Sequence, residues 1–118
     1  VLDVEDAADL KKAGVDGIQV SSHGARQLES GPTPIEMLAQ IRAEVGPDYP
    51  LFFDSGIRSG EDVMRALQQG ADFVFLGRIL QFAIAAGGEV GLHQLWDLLS
   101  EEMSIAMAQT GQAALAPS

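Results

Sequence analysis

The chain contains no cysteine, and among its 118 residues only seven are lysine or arginine, one is tryptophan and one is tyrosine. The missing cysteine excludes thiol chemistry and Cys-ligated zinc, and it leaves the redox compartment unmarked. No apolar run is long enough to span a bilayer, and the acidic first residues show no signal peptide. A cytoplasmic protein is therefore expected, with peripheral membrane contact left open. Seventeen acidic residues give a net charge of −10, which argues against nucleic acid because its phosphates would be repelled. An anionic ligand has to be caught locally, by a few arginines and backbone amides. At 118 residues the chain is at most one domain, large enough for a core but short for most complete enzyme folds.

What is present repeats. A helix is expected from Asp3, a capping residue with Asp6 in the reciprocal place, through Ala7, Ala8, Leu10 and Lys11 to Gly14. A first strand follows from about Val15 to Ser21, with Gln19, Ser21 and His23 on one face and Ile18 and Val20 on the other. Leu28 to Pro32 reads as a loop; Thr33 then serves as N-cap, Pro34 as the first helical residue and Glu36 as the box partner. Ile35, Leu38, Ile41 and Val45 recur at helical spacing until Gly46-Pro47. The second strand is Leu51–Phe53, and the next helix runs from Ser59 or Gly60 to Gly70, with Val63, Met64 and Leu67 inward. A third strand is expected over Phe73–Leu76, then a short apolar helix over Leu80–Ala86 before Gly87-Gly88. The last helix, about Glu89–Gln109, carries Leu92, Leu95, Trp96, Leu99, Met103 and Met107 as an apolar stripe, and the tail beyond Gly111 should fray.

Gly14-Val15-Asp16 and Gly70-Ala71-Asp72 hold the same place, between a helix end and the next strand. Strand, loop and helix three times over means parallel strands with right-handed crossovers. An eight-stranded (β/α)8 TIM barrel needs about 250 residues. The expected fold is thus α/β, about three parallel strands with flanking helices, close to half of such a barrel. Its open edges have to pair with the missing half or with another copy, so a homo-oligomer is expected. The alternative is a small open three-layer sheet.

Function then belongs at the carboxyl ends of the strands. Ser21-Ser22-His23-Gly24-Ala25-Arg26-Gln27 leaves the first strand with a residue type that moves protons near neutral pH and another that grips planar anions by two hydrogen bonds. Taken alone, the heptad reads better as a loop with one structural histidine and one solvated arginine. Asp54-Ser55-Gly56-Ile57-Arg58 combines a glycine turn, a helix N-terminus and an arginine, and Gly77-Arg78 adds a second amide and guanidinium. A phosphorylated ligand suits that combination. Elsewhere the plain readings hold: His93 structural or superficial, Trp96, Met103 and Met107 core, Glu101-Glu102 a solvated face. Asp16 and Asp72 belong to the stability end of the strands, and Gln27 either supports the substrate loop or caps it.

Ser21–Gln27, Asp54–Arg58, Gly77-Arg78, Ala85–Glu89 and Met107–Gly111 together resemble, in order and over nearly the whole chain, the C-terminal part of the FMN-dependent α-hydroxy-acid dehydrogenase and oxidase family. The resemblance implies the last three strands of a (β/α)8 barrel, with residues 1–118 as its C-terminal segment. It implies oxidation of a small 2-hydroxy acid of the lactate or glycolate type, with FMN as cofactor. His23 matches the catalytic base and Arg26 the carboxylate-gripping arginine. Ser21, Asp54, Gly56, Arg58, Gly77 and Arg78 fall in the cofactor-binding segments. Ser22 stands where asparagine is usual, Ser55 where glycine is common, and Ile79 where proline is frequent. The family's flavin-side lysine and active-site tyrosines lie upstream of Val1, and Tyr49 sits at the wrong strand end to replace them. The chain by itself is therefore expected to turn over poorly or not at all. Two other readings remain: a different FMN-binding barrel enzyme, and a non-catalytic half-barrel that self-associates.

Overall fold

The strands are shorter than their hydrophobic runs. The computed structural model describes residues 1–114, and three strands pair in parallel in the order β1 (Ile18–Val20), β2 (Leu51–Phe53) and β3 (Phe73–Val74). Val15 to Gly17, expected in β1, are spent in the connection: the Val15 amide still donates to Leu10 O at 3.1 Å and its side chain is 40% exposed. β3 stops at Val74, although the Phe75 amide adds one further bond, to Phe53 O at 2.8 Å.

The connecting helices form where the punctuation places them. α1 (Val4–Lys12) is capped by Asp3, whose carboxylate accepts from the Glu5 and Asp6 amides at 2.9 and 3.1 Å. α2 (Pro34–Val45) begins with proline as its first residue, but the Thr33 hydroxyl donates to Glu36 at 2.5 Å instead of accepting from a backbone amide. α3 (Gly60–Gln68) is capped by Ser59 on the Asp62 amide. α4 (Arg78–Gln109) joins the two expected C-terminal helices end to end, broken by non-helical backbone at Gly87 and Gly88. Gly88 has φ 56°, which glycine adopts without penalty.

The register pairs Ile18 with Leu51 and Val20 with Phe53, so these four share one face. They are buried with Leu38, Ile41 and Val45 of α2 and Ala66 of α3. Each fully buried Val, Leu, Ile or Phe side chain among them contributes about 1.5–3 kcal/mol. The opposite face holds Gln19, Phe52 and Phe73, which the register also aligns. Nothing among the described residues covers it. Phe73 is 55% exposed and Phe75 43%, their rings 5.0 Å apart. A three-layer sheet would have helices on both faces, so the half-barrel is the architecture present.

The amino ends of the strands are tied by Arg42, whose side chain is only 13% exposed. Its guanidinium donates to Gly70 O, Gly46 O and Tyr49 O at 2.7 Å each and to Asp72 at 2.8 Å. Asp72 also accepts from the Leu51 amide at 2.9 Å, in keeping with its expected stability role. The Tyr49 hydroxyl donates to Val15 O at this same end.

Three expectations for α4 need correction. Trp96 is 70% exposed: buried Leu99 marks the seam against α3, and Trp96 lies at the edge of the stripe, beside Ser100 and Ser104 on an open groove. Met103 and Met107 are only half-buried. Glu102 is not a solvated residue: its carboxylate accepts from the Gly60 amide at 2.5 Å and so caps α3 across the seam. The tail is not free immediately after Gly111, since the Gln112 amide donates to Met107 O at 2.9 Å; residues 115–118 lie outside the described residues.

At Gly60 the two helices approach so closely that an added Cβ would lie 2.3 Å from Leu99 O. Gly60→Ala is therefore expected to destabilise the protein by about 1–3 kcal/mol, read from its urea unfolding midpoint.

Candidate functional site

β1 ends in a turn that only an unusual backbone can make. His23, Gly24 and Ala25 lie consecutively in the left-handed region, at φ 53°, 64° and 59°. The strand's alternation stops at Val20, so His23 does not continue the face of Gln19 and Ser21 as expected; it opens a short 3-10 turn over His23–Ala25. That turn is held from within by the His23 amide on Ser21 Oγ at 3.0 Å and the Ala25 amide on Ser22 Oγ at 3.3 Å. The His23 imidazole and the Arg26 guanidinium are exposed and carry no protein hydrogen bond among the described residues.

β2 runs directly into Asp54, whose carboxylate collects donors from both strand ends. It accepts from Gln19 Nε2, from Ser21 Oγ at 2.5 Å and from Ser55 Oγ at 2.7 Å. Ser55 in turn accepts the Ser22 and Gly24 amides at 3.2 and 3.1 Å. Ser22 and Ser55, the two departures from the usual motif near the histidine, are thus hydrogen-bonded neighbours. At the third strand end Arg78 opens α4 and donates to Gly24 O at 2.9 Å. All three strand ends therefore meet on one rim.

Below the turn lies a cleft of about 330 Å³ whose wall includes Gly24, Ser55, Gly56, Arg58, Arg65 and Arg78. Three arginines line it against one acidic residue, Asp62, in a protein of net charge −10. Positive potential is thus concentrated locally, as a dianionic ligand requires. Ser21 and Asp54 stand behind the wall as supports, while His23, Arg26 and Gly77 lie on the same loops outside it.

The start of α3 is not the open anion site that the sequence suggested. The Arg58 amide donates to Asp62 at 3.0 Å, the Asp62 amide to Ser59 at 3.1 Å and the Gly60 amide to Glu102. The α4 N-terminus at Gly77, by contrast, has no side-chain cap. Arg65 was missed in the sequence. Its signal was the spacing: Asp62 and Arg65 lie three residues apart at the start of α3, on the same side of the helix, and Arg58 stands just before the Ser59 cap.

The sequence profile described as FMN-dependent dehydrogenase matches residues 1–117. The chain belongs to that family. FMN is the family's cofactor, as its description states. An L-lactate oxidase from Alicycliphilus denitrificans is 44% identical over 115 residues, covering 98% of this chain and 32% of the relative. An L-lactate dehydrogenase from Allorhizobium ampelinum is 47% identical over 116 residues, covering 98% of this chain and 31% of the relative. Among solved structures, the monotopic membrane protein (S)-mandelate dehydrogenase superposes with a TM-score of 0.90 at 39% identity, over 99% of this chain and 32% of that one. This member of the FMN-dependent dehydrogenase family thus spans about a third of the length of its relatives, and its three strands form a segment of their TIM barrel. No helix among the described residues is long and apolar enough to cross a membrane.

Asp54→Asn would turn an amide N–H₂ toward hydroxyl and amide donors. The expected loss is about 1–3 kcal/mol of stability, measured by urea unfolding.

Proposed function

We propose that the chain is the C-terminal segment of an FMN-dependent enzyme that oxidises a small 2-hydroxy acid of the lactate or glycolate type to the 2-oxo acid. The observation that carries this reading is the bond from Arg78 to Gly24 O, which joins the His23 turn to the arginine-lined cleft. The cleft suits the FMN phosphate: its lining is cationic, and at Gly56 an added Cβ would meet no atom within 4 Å, leaving room for a ligand against the backbone. Arg58 and Arg78 would hold the phosphate charge, with Gly56 supplying close backbone approach and Gly77, outside the cleft wall, contributing the uncapped N-terminus of α4. Ser21 and Asp54 would support them from behind.

Arg26, exposed on the same turn, would take the substrate carboxylate through two parallel hydrogen bonds. The His23 imidazole, with no protein partner to hold its proton, would accept a proton from the substrate. FMN when bound supplies the acceptor for the two electrons that leave the substrate α-carbon. The protein's share is orientation and exclusion of water.

The uncovered face of Gln19, Phe52, Phe73 and Phe75 supports a requirement for the rest of a barrel, or for a second copy in its place. A cytoplasmic location, with peripheral membrane contact as in the monotopic relative, belongs to the same proposal.

The test is assembly of the chain with the amino-terminal two-thirds of the Alicycliphilus denitrificans oxidase. A yellow protein bleached anaerobically by lactate or glycolate is expected; flavin uptake with no bleaching by any 2-hydroxy acid would overturn the reading. His23→Ala should lower turnover by about 10²–10⁴-fold with flavin retained. Full turnover in that variant would point to a different FMN barrel enzyme. Arg78→Gln should weaken FMN binding by about tenfold or more, read by flavin fluorescence titration.

A further inference from the structure

Ser55 has left-handed backbone, φ 87°, a region that serine rarely occupies. What holds it there is its hydroxyl. That group donates to Asp54 Oδ1 at 2.7 Å and accepts the amides of Ser22 and Gly24 at 3.2 and 3.1 Å. Those two amides flank His23 in the chain. His23 and Ala25 also lie in the left-handed region, so an unanchored turn would relax toward ordinary backbone. The Gly24 carbonyl, on the far side of the same peptide group's residue, accepts from Arg78. One hydroxyl thus stands between the Asp54 carboxylate and the turn, with the cleft beyond.

We propose that the Ser55 hydroxyl is a positioning group for the proton acceptor: it clamps both neighbours of His23 to the end of β2 and keeps the turn in register with the arginine-lined cleft. The inference rests on the role given to His23 above. Ser55 acts through two backbone amides, so its removal affects where the imidazole sits and not what the imidazole can do.

Two variants separate the hydroxyl from the backbone strain. Ser55→Gly removes the hydroxyl and relieves the left-handed penalty, whereas Ser55→Ala removes the hydroxyl and keeps the penalty. Both are compared with the unaltered chain, assembled with the rest of the barrel as above. The readouts are amide hydrogen exchange over Ser21–Gln27, FMN affinity and steady-state turnover. Exchange in that segment is expected to rise about tenfold in both variants, the equivalent of one net hydrogen bond. A fall in kcat of about tenfold, measured at saturating substrate and FMN, should accompany it. Unchanged exchange in Ser55→Gly would overturn the proposal, and that variant decides the matter even where Ser55→Ala fails to fold. Faster exchange with unaltered kcat would overturn it too, leaving a purely structural anchor. An unaltered chain that bleaches with no 2-hydroxy acid marks failure of the oxidase reading instead, and the exchange measurement still decides whether the hydroxyl clamps the turn.

Discussion

The Asp54 carboxylate is the constraint on which the rest of the site depends. It stands at the end of the central strand and accepts from Gln19 and Ser21 of one element and Ser55 of its own. Hydrogen bonds to a charged group contribute about 1.5–3 kcal/mol each, roughly twice a neutral bond. Three of them converging on one group from both sides leave the β1 turn no freedom to move independently of β2. Everything chemical is then reached through that junction: Ser55 bonds the amides around His23, and Gly24 accepts from Arg78 at the third strand end. The left-handed run His23–Ala25 is tolerable because the surrounding bonds over-determine it.

The opposite ends of the strands obey a different logic. There a single nearly buried guanidinium, Arg42, satisfies carbonyls from the α2 exit, the β2 entry and the β3 entry, and pairs with Asp72. Neither Arg42 nor Asp72 lines the arginine-walled cleft. The two rims thus divide stability from chemistry in the manner of barrel folds. Between them, one sheet face is packed and, among the described residues, the other is uncovered, with the aromatic residues Phe73 and Phe75 exposed.

Much of this was legible along the chain because its determinants are local. The Asp3 and Ser59 caps, Pro34 at the first turn and the Gly87-Gly88 break each act within a few residues of the element they bound. The strand ends bearing Asp54 and Gly77-Arg78 followed from the same punctuation. The parts that escaped were side chains whose partners lie far off in sequence. Glu102 caps a helix that begins 42 residues earlier, and Arg42 reaches a carbonyl 28 residues away. Trp96 was misjudged for a related reason: helical spacing shows that a stripe exists, but the facing helix decides which row of it becomes the seam.

By itself the sequence determined the order and polarity of the strands, the ends at which chemistry collects, and the residue types gathered there. Those properties depend on periodicity, caps and glycine breaks, all of which act over one or two turns of chain. Only the tertiary structure decided that the α3 amides are already occupied, that Arg65 joins Arg58 and Arg78 around one cleft, and that the Ser55 hydroxyl bonds the amides on both sides of His23. Each of these depends on which atoms meet across elements. A hydrogen bond is decided by tenths of an ångström between groups that the chain order leaves dozens of residues apart.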